Sequence, residues 1–431
     1  MHIAMLSGEY PPRWGGIGTV VHHLAGALAE RGHEITVITR NSKATKVNPS
    51  LIPSQKGVEV IEVGWVPLPM TFTRSYGKRA MKELIKLHKR KPVDIVHLLC
   101  PLIAWKKKQF DIVKSHIAPV IAVMNGTWIG EKEGLRFAAE NSESAVWKNP
   151  NDLAIRLTAK HYAKYEQVAI SEANLTVSIS ESCKKEILDA YDPPENWRNE
   201  VILYGVDEKQ FFPLHNDWEE AQLKHEDTRE KYGTPDEAAL GGEVDTKTPL
   251  LLAVGRLVAR KGFQTLIRAM PEILKKFPHS HLVIVGRGHM AKTLKKQVKS
   301  LGIQDKVTIE AGVPFERLTQ LYRSSDMVIY PSYYEGQGLV PLEAMASGTS
   351  VVTVNHGPLP EMVNSEVGNT FTAGNQQDLA NVVITELENP EKRAQKIKNG
   401  RALILEKYTY ANNAKSYESL YTELVVNREK I

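Results

Sequence analysis

Residues 335–348 read EGQGLVPLEAMASG, and residues 327–334 just before them read MVIYPSYY. Met327, Val328 and Ile329 are apolar and partly β-branched, as a buried strand requires, and Pro331 cannot donate to a ladder and ends it. After Gly338 the period changes. Leu339, Leu342 and Met345 or Ala346 recur three or four apart. Pro341 falls in the first turn, where its missing N–H costs nothing, and Gly348 stands where a C′ glycine closes a helix. The segment therefore reads as a strand, a glycine loop and a helix whose N-terminus opens at the loop. Unpaired N–H groups and a dipole equivalent to roughly +0.5 charge make such a place an anion site. Glu335 precedes the helix and faces whatever the loop holds. Glu343 lies about a turn inside it, poorly placed for phosphate but well placed to accept sugar hydroxyls, as acidic residues do for ribose in nucleotide sites. Acidic pairs at this spacing also arise as solvated surface, so the rest of the chain must decide between the two readings.

Working back from this segment, Leu250–Gly255 (LLLAVG) reads as a strand, and GRLVARKG follows it at 255–262. Arg256 and Lys261 at a strand's C-terminal end can neutralise a diphosphate, the arginine through its planar fork and the lysine as a point charge. Arg260 is a third cation in the same loop. His281–Gly288, Lys306–Pro314 and Ser350–Asn355 are further strand-and-loop units, and 379–431 is helical by periodicity. At the other end of the chain, His2–Ser7 and Ile35–Thr39 flank a helix marked by Val20, Val21, Leu24 and Leu28 and stopped by Gly32. The loop between holds Gly15, Gly16 and Gly18. It is not a GxGxxG fingerprint, which argues against a dinucleotide oxidoreductase, but its glycines allow a backbone to come close to a ligand. Strand-like runs follow at 58–63, 94–99, 119–125, 175–180 and 201–206. They are nearly continuous apolar segments alternating with helices, which predicts doubly wound parallel sheets. Asn125–Glu133 (NGTWIGEKE) leaves the fifth of the chain's strands at its C-terminal end, where ligands sit in open α/β sheets.

Length and composition set the frame. The 431 residues suffice for two or three domains, and 42% hydrophobic with 24% charged residues is ordinary for a globular protein. No apolar run approaches the ~20 residues of a membrane span, and the first seven residues are too short for a signal-peptide core. The two cysteines make neither a disulfide framework nor a zinc cluster, and the expectation is a cytoplasmic protein with no metal site. A net charge of +5 is too mild to argue for nucleic acid. The helix expected over 76–91, YGKRAMKELIKLHKRK, surrounds the apolar stripe Met81, Leu84, Ile85 with Lys78, Arg79, Lys82, Lys86, Lys89 and Arg90, and Lys106–Lys108 add a second patch. A solvated helix face explains this pattern; so does a peripheral contact with an anionic membrane, worth ~1 kcal/mol per basic residue near the lipid.

Taken in order, these motifs resemble those of the retaining glycosyltransferases of family 4, which have the GT-B fold: Glu335-x7-Glu343, Gly255-Arg256 followed after four residues by Lys261-Gly262, the glycine loop at 15–18, and Gly205-Val206-Asp207. The resemblance spans nearly the whole chain and is strongest over 250–363. It implies two Rossmann-like domains facing a cleft: an acceptor-side domain at 1–213, an acidic linker at 214–248, a nucleotide-sugar domain at 249–410 and a helix at 411–431 returning to the first domain. It implies a nucleoside diphosphate sugar as donor, no cofactor and no metal. Arg256, Lys261 and the helix start at Gly338, Leu339 and Val340 would meet the diphosphate, Glu335 would orient the donor sugar and Glu343 would hold the ribose. Gly16 would approach the donor most closely. Asn125 stands where the family often has a histidine near the sugar. A neutral amide hydrogen-bonds a hydroxyl but does not titrate. Further departures are Gln337 for a common phenylalanine, Tyr204 for an asparagine and Tyr410 for a frequent tryptophan. Against this stands a catalytically inactive GT-B subunit or nucleotide sensor, which Asn125 and Gln337 leave open. Lipid acceptors are common in the family, so the basic helix implies a peripheral contact at the inner membrane face.

Overall fold

The structure, a computed structural model, describes residues 1–12, 15–41, 54–68, 71–143, 149–214, 219–233 and 248–429. Among these residues the apolar runs become strands in two sheets, parallel throughout. In the first sheet β1 (His2–Ser7), β2 (Glu34–Arg40), β3 (Val58–Val63), β4 (Ile95–Cys100), β5 (Val120–Met124), β6 (Leu175–Ser178) and β7 (Asn199–Val201) run in the order β3-β2-β1-β4-β5-β6-β7. In the second, β8 (Leu250–Val254), β9 (His281–Val285), β10 (Val307–Glu310), β11 (Met327–Tyr330), β12 (Ser350–Val354) and β13 (Asn369–Phe371) run in the order β10-β9-β8-β11-β12-β13. Strands β1, β4 and β5 are buried at every position, as sheets covered by helices on both faces demand. Each order reverses once, at β1/β4 and at β8/β11. Such a switch point opens a crevice at the carboxyl ends of the strands.

The chain divides into two compact units. One comprises 1–132, 150–205 and 409–431; the other comprises 133–149 and 206–408. The structure departs from the expected organisation in three places. The segment 133–149, expected in the first domain, clusters with the second unit, because Ala138 and Phe137 pack with Ala259 and Tyr333. The stretch expected as a linker carries a helix, Glu219–Lys231, built into the second unit. There the buried Arg229 donates to Ser324 O at 3.1 Å, Asp326 Oδ2 at 2.9 Å and Thr248 O at 3.0 Å. Residues 215–218 and 234–247 of that stretch lie outside the described residues. Finally, the strand expected over 201–206 ends at Val201. Asn413 takes the backbone beyond it, accepting from Gly205 N and donating to Leu203 O at 2.6 Å, so a side chain replaces a neighbouring strand.

Within the first unit the core runs through Leu6, Ile38, Leu84, Val96, Phe110 and Val120. The basic helix is Thr71–Arg90, five residues longer at its start than expected, with Tyr76, Met81, Leu84 and Leu87 buried. The C-terminal helix Tyr410–Glu429 belongs to this unit. Tyr410 stacks on His23 with centroids 4.9 Å apart, Tyr421 hydrogen-bonds His97 Nδ1 at 2.6 Å, and Glu418 pairs with Arg31 and His33. In the second unit, helix Phe263–Lys276 buries Phe263, Leu266, Ile267, Met270 and Ile273, one face at helical spacing.

Candidate active site

The site residues expected in the second half come together at its switch point. β8 and β11 are neighbours, with Leu251 opposite Met327 and Leu252 opposite Val328. The loops that leave their carboxyl ends therefore start side by side. They are also tied to each other. Tyr333 N donates to Arg260 O at 2.7 Å. Gly262 has φ +70°, and a β-carbon there would lie 2.0 Å from Pro331 O, so only glycine lets the two backbones approach this closely.

Lys261 and Glu335 meet across this seam. The Lys261 ammonium donates to Glu335 Oε1 and, at 2.8 Å, to the hydroxyl of Tyr330, which itself donates to Glu335 Oε1 at 2.5 Å. Burial lowers the Lys261 ammonium to about 8; Arg260 and Arg256 push the same way, and Glu335 opposes them. Burial works to raise the Glu335 carboxyl, but Lys261 and then Arg260 outweigh it and hold Glu335 below the ordinary carboxylate range. At neutral pH the pair is thus an ammonium and a carboxylate. Arg256 is exposed at the rim, whereas Arg260 is buried.

The helix Leu339–Ala346 begins four residues past Glu335, directly after a glycine. Gly338 caps it with φ +99° and offers no side-chain acceptor to the first-turn N–H groups. Pro341 lies in the first turn, and Gly348 follows the last turn at φ +70°. Leu342 and Met345 are buried, each worth on the order of 2 kcal/mol, so packing rather than charge fixes where the helix starts. Leu339 and Val340 are half-buried at its opening. Glu343, one turn on, accepts from the buried Tyr322 hydroxyl at Oε2, and burial pushes its carboxyl up to about 7 while that hydrogen bond opposes the rise. Gln337 is buried, with Nε2 3.6 Å from Met362 Sδ, so its amide lines the inner wall of the loop.

Gly16 and Asn125 lie in the first unit. Gly16 opens the helix Gly16–Glu30, and a β-carbon there would meet nothing within 4 Å. Gly15, one residue earlier, is the crowded glycine: a β-carbon there would sit 2.7 Å from Glu9 Oε2. Asn125 follows β5 and is held at both ends of its amide. Nδ2 donates to Cys100 O at 2.8 Å and Val123 O at 3.2 Å, and Oδ1 accepts from the Tyr204 hydroxyl at 2.7 Å. Two of the four departures from the family pattern, Asn125 and Tyr204, are thus hydrogen-bonded partners.

Four contributors were not singled out from sequence. Tyr330 and Tyr322 bond Glu335 and Glu343, and no spacing signals a tyrosine beneath a carboxylate. Glu143 caps the helix after Lys261, accepting from Thr265 N at 3.0 Å and Thr265 Oγ1 at 2.9 Å across more than a hundred residues. Tyr333 bonds that same threonine at 2.7 Å.

Residues 241–403 match the family model for glycosyl transferases group 1, and residues 14–210 match that for glycosyltransferase family 4. An uncharacterized glycosyltransferase of Methanocaldococcus jannaschii is 30% identical over 98% of both chains. Sucrose-phosphate synthase from Thermosynechococcus elongatus superposes with a TM-score of 0.77 at 21% identity, over 99% of each chain. HepE of Anabaena, solved with UDP and glucose, superposes with a TM-score of 0.68 at 20% identity, over 98% of this chain and 100% of its own. These likenesses establish the GT-B fold.

Proposed function

The chain belongs to glycosyltransferase family 4, and on that footing we propose that it transfers a hexosyl group from a nucleoside diphosphate sugar to a sugar, lipid or small-molecule acceptor, with retention at the anomeric carbon and without a metal ion. The observation that carries this reading is the Lys261–Glu335 pair, largely withdrawn from solvent at a switch point one short loop before a helix N-terminus. In the reaction the bond from the anomeric carbon to the diphosphate breaks and a bond to the acceptor oxygen forms on the same face. The leaving diphosphate gains negative charge as it departs. Lys261, Arg256 and the first-turn N–H groups supply fixed positive charge where that charge develops, which is usually the largest catalytic contribution. The departing phosphate oxygen takes the acceptor proton, so no side chain is assigned as base. Glu335, kept ionised by Lys261, orients the donor sugar, and Glu343 receives the ribose hydroxyls.

The first unit supplies the acceptor side. Its basic helix Thr71–Arg90 exposes Arg74, Lys78, Arg79, Lys82 and Lys89, and this face supports a peripheral contact with an anionic membrane. No described helix is long and apolar enough to cross a membrane.

The test is a metal-free screen of UDP-, GDP- and ADP-sugars with the unaltered protein and Glu335→Ala, reading released nucleoside diphosphate and the anomeric configuration of any product. Release from one donor, lost in the variant, with the product anomer matching the donor, is the expected result. Tight nucleotide binding with no release, even with sugar and lipid acceptors present, would favour an inactive subunit or sensor.

A further inference from the structure

We infer that Tyr330 is a positioning residue of this site, holding the Glu335 carboxylate and the Lys261 ammonium in one fixed geometry against the diphosphate end of a donor. The inference rests on the reading above and adds a residue that it does not use.

Tyr330 is the last residue of β11 and is 3% exposed. Its hydroxyl is committed in both directions, donating to Glu335 Oε1 at 2.5 Å and accepting from Lys261 Nζ at 2.8 Å. Its ring carries the same ammonium 5.1 Å from the centroid. A β-carbon at Gly338 would lie 3.4 Å from Tyr330 Cε1, so the ring also underlies the residue that opens the helix. One rigid side chain on a central strand therefore touches the cation, the carboxylate and the helix start. A phenylalanine would fill the same space. The hydroxyl is what the packing does not require, and it is the part that touches both charged groups. Lysine and tyrosine both donate to Oε1, which fixes the plane of the carboxylate and hence the direction of Oε2. Positioning groups of this kind hold a site to within ~0.5 Å, and their loss is felt in the chemical step more than in binding.

Lys261 is faced by Glu335 and Tyr330 from the strand-end loop and by Arg260 and Arg256 from its own loop. Removing the Tyr330 hydroxyl takes an acceptor from the ammonium and leaves both arginines in place. The lysine then loses its proton at lower pH. A merely structural tyrosine would not move this property.

The experiment compares the protein with Tyr330→Phe in three measurements: thermal melting, the pH dependence of binding of UDP, GDP and ADP by calorimetry, and the pH dependence of diphosphate release from the sugar donors. The expected result is an unchanged melting temperature and a neutral-pH affinity within about twofold of the parent. With these, kcat falls about ten- to a hundredfold, and the alkaline limbs of both binding and turnover move to lower pH. Unchanged kcat and unchanged limbs would overturn the inference, as would an activity loss that only follows a lowered melting temperature. If the parent releases no diphosphate from any donor, the transfer reading fails, and the binding measurement decides about Tyr330. An alkaline weakening that moves to lower pH in Tyr330→Phe supports its hold on Lys261. A limb that does not move, or no binding of any of the three, overturns it.

Discussion

Glu335 and Glu343 stand on either side of one helix start, and their surroundings drive them apart. Lys261 and Arg260 keep Glu335 ionised below the usual carboxylate range, whereas burial lifts Glu343 to about 7 beside Tyr322. The sign of the consequence follows from protonation. Ribose hydroxyls donate to a carboxylate, so binding favours the ionised form of Glu343 and releases a proton wherever the free protein holds one. Nucleoside diphosphate affinity is therefore predicted to weaken as pH falls through 7. Glu343→Gln should bind on the order of tenfold more weakly at pH 8 and lose this acid-side dependence. Calorimetry between pH 5.5 and 8 in two buffers of different ionisation enthalpy checks it, and a proton-neutral, pH-independent affinity would refute it. The positions of both glutamates were legible from the strand, Pro331 and Gly338. The opposite directions of their shifts were not, because they depend on burial of both carboxyls and on Lys261 and Arg260 beside Glu335, which only the packed strand ends bring about.

At the level of elements, the strands and the helix start follow from local sequence, since apolar runs of four to seven residues and a glycine-flanked period of three to four can hardly be read otherwise. The helix Phe263–Lys276 is different. Its N-cap is Gly262, which has no side chain, and the missing acceptor comes from Glu143. Nothing at 263 points to residue 143, so this tie was illegible, and with it the membership of 133–149 in the second unit. Burial raises Glu143 to about 7, against the hydrogen bonds from Thr265 and the attraction of Arg268. A carboxyl raised in the folded state contributes stability that is fully present below about 4.5 and is lost as pH rises through about 7. Glu143→Gln keeps an acceptor but does not titrate. The stability of the parent relative to Glu143→Gln is predicted to decline between pH 4.5 and 7. Glu143→Ala, lacking the cap altogether, should be about 1–2 kcal/mol less stable than Glu143→Gln. Denaturant titrations across this range would expose a parallel pH dependence in the two proteins, which would contradict the assignment.

Across the whole molecule, each unit repeats one plan: a parallel sheet whose order reverses once, with glycine loops at the carboxyl ends of the strands. Doubled strand–helix alternation made this plan legible, and the family resemblance carried the return of the C-terminal helix to the first domain, while the membership of 133–149 in the second unit depends on long-range packing. Charge is also unevenly distributed, with a basic face on Thr71–Arg90 that Glu59 and Glu83 offset at Arg90 and Lys86. Binding to anionic vesicles is predicted to fall severalfold in a Lys78→Glu, Lys82→Glu, Lys89→Glu variant and to vanish at high salt. Equal sedimentation with neutral vesicles would contradict a lipid role. The proposed role of the Lys261–Glu335 pair is to act on the breaking bond to the diphosphate. The most direct measurement is the rate of nucleoside diphosphate release at saturating donor for the parent, Lys261→Ala and Glu335→Gln. Each variant is expected to lose about a hundredfold or more in rate while donor affinity changes by less than about tenfold. Release at the parental rate by either folded variant would contradict it.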